Sequence, residues 1–253
     1  MSSFAHGRAR LVNVIAATRF EYRFRYMLHG LIFVLGFTAP WERGWMQVGQ
    51  HTVWVQAASY LYRHGMDFAA STNAVLILAT LIALASAALR VWAAAYLGAS
   101  VVHRESMAAD RVVADGPYRY MRNPLYLGTV LFSLAVAALM HPSGAAVTVI
   151  LIVVLQLRLI AREEPFLKQT LGPAYTEYCA QVPRILPRWK SRIAPGGTRP
   201  HWASAFLGEI LFIGTAVSFL VLGWKYDAVL ILQGILVSLG LGIVARAFIP
   251  QRG

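Results

Sequence analysis

"NAVLILATLIALASAALRVWAAAYL", Asn73 to Leu97, runs for 25 residues with a single charge, Arg90. As a helix it would rise about 37 Å, more than the roughly 30 Å of a bilayer's hydrocarbon core. It reads as a membrane span, and the rest of the chain agrees. Hydrophobic residues make up 58% and charged residues only 13%, with a mean hydropathy of +0.56. A soluble domain carries about a quarter charged residues. The expected class is all-α: a polytopic transmembrane helical bundle.

Five further apolar stretches lie around this one: Tyr26 to Ala39, Leu125 to Met140, Ala145 to Ile160, Ala203 to Gly223 and Ala228 to Phe248. That makes about six spans. The first, third and fourth of the six are short for a crossing, so their aromatic and basic flanks should sit at the interface. "HPSG" (residues 141–144) joins the third to the fourth as a tight turn.

Basic residues orient the bundle. Of the 23 Lys and Arg, 18 fall before the first span, in alternate loops or after the last span; the intervening loops hold only Arg43, Arg63 and Lys225. Arg90 and Arg158 lie inside spans. This pattern predicts an integral membrane protein with both termini cytoplasmic, expected in the inner (cytoplasmic) membrane. It also gives the net charge of +12 a reason other than nucleic acid, which is excluded as a partner. The N-terminus lacks the features of a cleavable signal.

Trp41 to Met66, with Trp41, Trp45, Trp54, Tyr60 and Tyr62, reads as a helix in the outer interface, a re-entrant element being the alternative. "APGGTRP" (194–200) reads as a linker that sets the last two spans apart. Three parts are therefore expected: residues 1–72, a core at 73–193, and 194–253. One cysteine, Cys179, cannot form an internal disulfide, and no His spacing suggests a metal. His51, His103 and His141 read as interfacial.

Polar chemistry gathers in two cytoplasmic stretches, "DGPYRYMRNPLYLG" (115–128) and "REEPFLKQTLGPAYTEYCAQVPRILPR" (162–188). The hairpin should bring Arg122 and Asn123 close to Glu163 and Glu164, where cations, an amide and two carboxylates suit a zwitterionic ligand. Each residue alone is ordinary: Arg at a helix end sets topology, and Gly-Pro punctuates loops. Arg90 divides between snorkelling to the interface and binding the anionic head of a substrate.

The two stretches together, preceded by "LRVWAAAYLG" (89–98), resemble the isoprenylcysteine carboxyl methyltransferase and phospholipid methyltransferase superfamily. The resemblance covers roughly Leu89 to Arg188. It implies an S-adenosylmethionine-dependent methyltransferase with cytoplasmic cofactor-binding loops, acting on a membrane lipid or lipid-soluble acceptor. It implies catalytic roles for Arg122, Glu163 and Arg90. Cofactor contacts would come from Gly116, Pro117, Tyr118, Arg122, Asn123, Tyr126, Leu127, Gly128, Glu163, Glu164, Tyr175 and Tyr178, with Arg184 helping to close the pocket. Asn123 stands where many relatives have His, so a proton shuttle is not expected there.

An NADPH-dependent sterol-type reductase shares a similar first loop, but its second motif differs from "EEPFLKQTLGPAYTEYCA". A non-enzymatic scaffold would lack the polar cluster. The acceptor stays open among an isoprenylcysteine-like carboxylate, a phospholipid amine and another lipid acid. No oligomeric state is implied.

Overall fold

The computed structural model describes residues 16–41, 48–98 and 112–248. Arg8, Arg10, Arg43, Trp45, His103, Arg104, Arg111 and Arg252, all used in the sequence reading, lie outside them. The described residues form helices and connecting turns, with no strand among them. The helices are α1 (Arg19–Arg23), α2 (Arg25–Phe37), α3 (Val53–Arg63), α4 (Phe68–Leu97), α5 (Pro124–Ala137), α6 (Pro142–Gln181), α7 (Trp202–Gly208), α8 (Ile210–Val217) and α9 (Ala228–Arg246). The all-α bundle expected from composition is what forms.

Helix boundaries follow local chemistry. Asp67 accepts from the Ala70 amide to open α4, and Gly98, at φ 92°, follows its last residue. Pro124 and Pro142 start α5 and α6, where a missing N–H costs nothing. Asp227 caps α9 through the Val229 and Leu230 amides.

All six apolar stretches fall on helix. By length and composition, α4, α6 and α9 can each cross a membrane, and Trp202–Lys225 joins them if its two parts, bent by 70°, count as one span. α2 and α5 stay short, as expected. The fourth stretch does not: helix continues through polar residues to Gln181, kinking at Gly172 (φ 61°).

Small residues let the helices approach closely. Ala79, Ala83, Ala87 and Ala93 to Ala95 are buried on α4. The Ser86 hydroxyl donates to the Gly128 carbonyl at 2.7 Å, tying α4 to α5. A Cβ on Gly128 would run into the Arg90 stem. α2 crosses α6 at Gly36 and Gly144, where a Cβ on either would strike the other helix.

The segment expected at the outer interface does contain a helix, α3, and Trp41, Tyr60 and Tyr62 are exposed. Trp54 departs from that reading. It is buried in the main core, and its indole donates to the Thr72 carbonyl at 3.0 Å. The Val53 and Trp54 amides donate to the Met140 and Ala138 carbonyls, so α3 covers the turn between α5 and α6.

The C-terminal helices are not set apart by their linker. α7 and α8 pack on α4, and Ala216, Phe219, Ile231 and Ile235 share its core. The linker itself is pinned, as the next section describes.

Candidate functional site

The two polar stretches meet at one end of the bundle. Gly116 opens a tight 3-10 turn, Gly116–Arg119, at φ 56°, and the Tyr96 ring fills the space a side chain there would need. Asp115 just before it accepts from the Gly196 and Thr198 amides at 2.6 and 2.9 Å. Burial raises the Asp115 carboxyl, but these bonds and the Arg119 charge outweigh it and hold it below the usual range. Arg119 donates to the Ile193 carbonyl, and the Arg188 amide to that of Tyr120. Residues 183–198 thus form a strap fastened over the 115–123 loop.

Glu164 is the keystone beneath the strap. It is buried, and one carboxylate oxygen accepts from Arg122 Nε at 3.0 Å and Asn123 Nδ2 at 3.2 Å. The other accepts from Arg184 Nε and Nη2 at 2.9 and 2.6 Å. Arg122 also donates to the Cys179 carbonyl, and Asn123 to that of Arg184. The expected proximity of Arg122 and Asn123 is therefore present for Glu164. Their hydrogen bonds are spent on one another, however, and fix the start of α5 to the middle of α6.

Glu163 points elsewhere. Its Oε2 accepts from the Tyr126 hydroxyl at 2.6 Å, while Oε1 has no hydrogen-bond partner among the described residues. The Tyr118 hydroxyl is buried without a hydrogen-bond partner among the described residues, and burial pushes its phenol well above the usual range. Tyr22 and Arg25, from α1 and the start of α2, lie within electrostatic reach of Glu163. Burial, then the Glu163 charge, pushes the Tyr22 phenol up to about 12.

The remaining expected residues divide. Pro117 is buried in the turn. Tyr175 and Tyr178 pack with Val182 and Ile193 under the strap, and the Tyr178 hydroxyl donates to the Tyr118 carbonyl at 2.8 Å. Leu127 is half-buried. Gly128, expected to face a cofactor, instead makes the α4–α5 contact.

Arg90 is the clearest correction. It neither snorkels nor waits for an anionic head. Its Nε and Nη2 donate to both oxygens of Glu209 at 2.6 and 3.0 Å, and Nη1 donates to Thr129 and the Leu125 carbonyl. Phe212 covers the guanidinium at 3.8 Å. A buried arginine needs a carboxylate, and Glu209, at the bend between α7 and α8, supplies it.

A model of the phospholipid methyltransferase family matches residues 69–174. That segment, 106 of the chain's 253 residues, is similar to the membrane methyltransferase superfamily. The recognition made from the two polar stretches is thus borne out. The matched segment runs from the start of α4 to just past the kink at Gly172, and it contains Tyr118, Tyr126, Glu163 and Glu164. The comparisons with curated proteins and with solved structures gave no match.

Tyr22 and Arg25 lie outside the matched segment, and the sequence reading did not place them at the site. Arg158 holds them there: it grips both oxygens of Glu21 at 3.0 and 2.9 Å, and its carbonyl accepts from the Ala17 amide. The available signal was the alternation of arginine and aromatic residues in "RFEYRFRY" (19–26).

S-adenosylmethionine combines a sulfonium, an ammonium, a carboxylate and ribose hydroxyls. The half-buried Glu163 with one open oxygen, ringed by Tyr22, Tyr118 and Tyr126, suits a cationic group. The orphaned Tyr118 hydroxyl suits a polar partner. The donor set fits. Among the described residues, no group of three or more His, Cys, Asp or Glu could hold a metal.

Proposed function

We propose that this integral membrane protein is an S-adenosylmethionine-dependent methyltransferase acting on a lipid-soluble acceptor. The family match at 69–174 supports the reaction class. The observation that carries the site is the Glu163–Tyr126 pair at 2.6 Å beside the orphaned Tyr118 hydroxyl.

When bound, S-adenosylmethionine supplies an electrophilic methyl group on a sulfonium. Glu163 places a negative charge, oriented by Tyr126, against the cofactor's positive charge. Tyr118 offers its free hydroxyl to a polar atom of the ligand. Glu164, Arg122, Asn123 and Arg184 keep Tyr126 and Glu163 in register by locking α5 to α6. Alignment of donor and acceptor, with water excluded by the apolar helices, accounts for the rate.

In this reading, 73–193 is the catalytic core, the strap side is cytoplasmic in the inner membrane, and the acceptor arrives from the bilayer. Isothermal titration in detergent tests it. S-adenosylhomocysteine should bind, and NADPH should not. Binding of NADPH alone would favour a reductase instead.

A further inference from the structure

We infer that the outward edge of the strap, Leu186 to Arg192, is a docking surface for the anionic headgroups of the bilayer leaflet beside it. These are bulk lipids rather than the acceptor, and their docking needs no particular reaction at Glu163.

The strap has two faces. Inward, Val182 and Ile193 pack with Tyr175 and Tyr178, and the backbone at Pro183, Arg188 and Ile193 bonds to Arg122, Tyr120 and Arg119. Outward, Trp189 is 100% exposed and Leu186 76%. Lys190 and Arg192 are exposed beside them and have no ion-pair partner among the described residues. Between Glu177 and Glu209 the chain carries no acidic residue, but it carries Arg184, Arg188, Lys190, Arg192 and Arg199. One exposed apolar side chain would be ordinary. Two of them beside two unpaired cations make a mixed apolar and cationic edge, the composition that binds at a membrane surface.

Depth decides the occupant. α4 has 30 residues and rises about 45 Å, more than the roughly 30 Å hydrocarbon core, so its ends stand among headgroups. The strap is tied to its last turns. The Tyr120 carbonyl that holds the Arg188 amide belongs to a residue whose ring lies 6.1 Å from that of Trp92 on α4. Just past the strap, the His201 amide donates to the Ala95 carbonyl. The outward edge therefore lies level with the bilayer surface, not out in the cytoplasm. There Trp189 and Leu186 meet the boundary between headgroups and chains, and Lys190 and Arg192 meet lipid phosphates. An acidic soluble protein would match the charge but not the depth. The 115–123 loop is thus covered by a segment pinned to the protein on one side and seated on lipid on the other.

The test places a fluorophore on Leu186→Cys, in a Cys179→Ser background, and puts the protein in nanodiscs of chain-brominated phosphatidylcholine with or without phosphatidylglycerol. Bromine quenches the label only on contact. Quenching should be strong with phosphatidylglycerol, weak without it, and fall to the weaker level in high salt, which needs no further variant. Each cation near an anionic surface is worth about five-fold in docking, so Lys190→Gln should weaken docking by about that factor and Lys190→Gln with Arg192→Gln by about 25-fold. Trp189→Ala should reduce quenching in both lipids. Arg63→Gln, at an exposed cation ending α3, should change nothing. Equal quenching in the two lipids, quenching that survives high salt or the double substitution, or an equal loss from Arg63→Gln would overturn the inference. Release by inorganic phosphate at matched ionic strength would also overturn it, by making the edge a site for free anions. So would shielding of the label from acrylamide that grows with protein concentration in lipid-free detergent, which would make the occupant a second copy. No arm contains S-adenosylhomocysteine, so the outcome stands apart from the reaction proposed at Glu163.

Discussion

Tyr126 and Glu163, 37 residues apart in sequence, are joined by a hydrogen bond of 2.6 Å across the α5–α6 hairpin. The neighbouring Glu164 makes no such contact and faces Arg122, Asn123 and Arg184. Two adjacent carboxylates thus have different duties. Glu164→Gln should destabilise the protein by about 1–3 kcal/mol, because the buried carboxylate loses its charge-assisted bonds to partly buried Arg122 and exposed Arg184. Glu163→Gln should unfold near the wild-type temperature but bind S-adenosylmethionine about ten-fold more weakly. Thermal unfolding and calorimetric titration of both variants check this. A Glu164→Gln protein as stable as wild type would remove its keystone role.

Gly128→Ala should cost about 1–3 kcal/mol, the usual penalty for overpacking a close contact. The new methyl group meets the Arg90 stem, which Glu209 and Thr129 hold in place. Unfolding in detergent reads the loss. Gly30→Ala is the control, since a Cβ there meets nothing within 4 Å.

The Asp115 staple should be acid-sensitive. Its folded-state pKa lies below the ordinary value of about 3.9, so its contribution is complete above that value and is lost as pH falls through the folded pKa. Protection of the Gly196 and Thr198 amides, taken as exchange relative to the intrinsic rate at each pH, should fall below about pH 4 in wild type. In Asp115→Asn that protection should already be low at neutral pH and change little with acid.

The Glu21–Arg158 pair should act in a similar window. The Arg158 hydrogen bonds lower the Glu21 carboxyl from 4.5 to about 2. Its stabilisation is full above 4.5 and disappears as pH falls towards 2. Exchange at the Tyr22 and Phe24 amides reports this opening, and Glu21→Gln should abolish its pH dependence. A pH response that persists in the variant would place the titrating group elsewhere.

Much of the fold was legible because apolar length is a strong signal: each of the six stretches is helical. The meeting of Arg122 and Asn123 with Glu164 also followed from a short hairpin between apolar segments. What escaped was partner choice. Nothing local to Arg90 says that Glu209 lies opposite, because the pairing depends on how α8 bends back onto α4. The strap escaped for a related reason. "APGGTRP" has a linker's composition, yet its Gly196 and Thr198 amides are what Asp115 binds, and a Cβ at Gly196 would crowd that carboxylate. Trp54 carried the composition of an interfacial ring and the environment of a core one.

The Arg90–Glu209 pair also sets a timetable. Arg90 leaves the ribosome 119 residues ahead of its counter-charge, about 6–24 s at ordinary elongation rates. During that interval the second span holds a guanidinium that the finished bundle keeps almost wholly from solvent. Insertion of that helix must then be provisional, with the arginine drawn to the headgroups or sheltered by the insertion machinery until the bent C-terminal span arrives. Biogenesis of this protein is therefore expected to close from its last helices backwards, and a chain interrupted before Glu209 should be recognised as unfinished by membrane proteases.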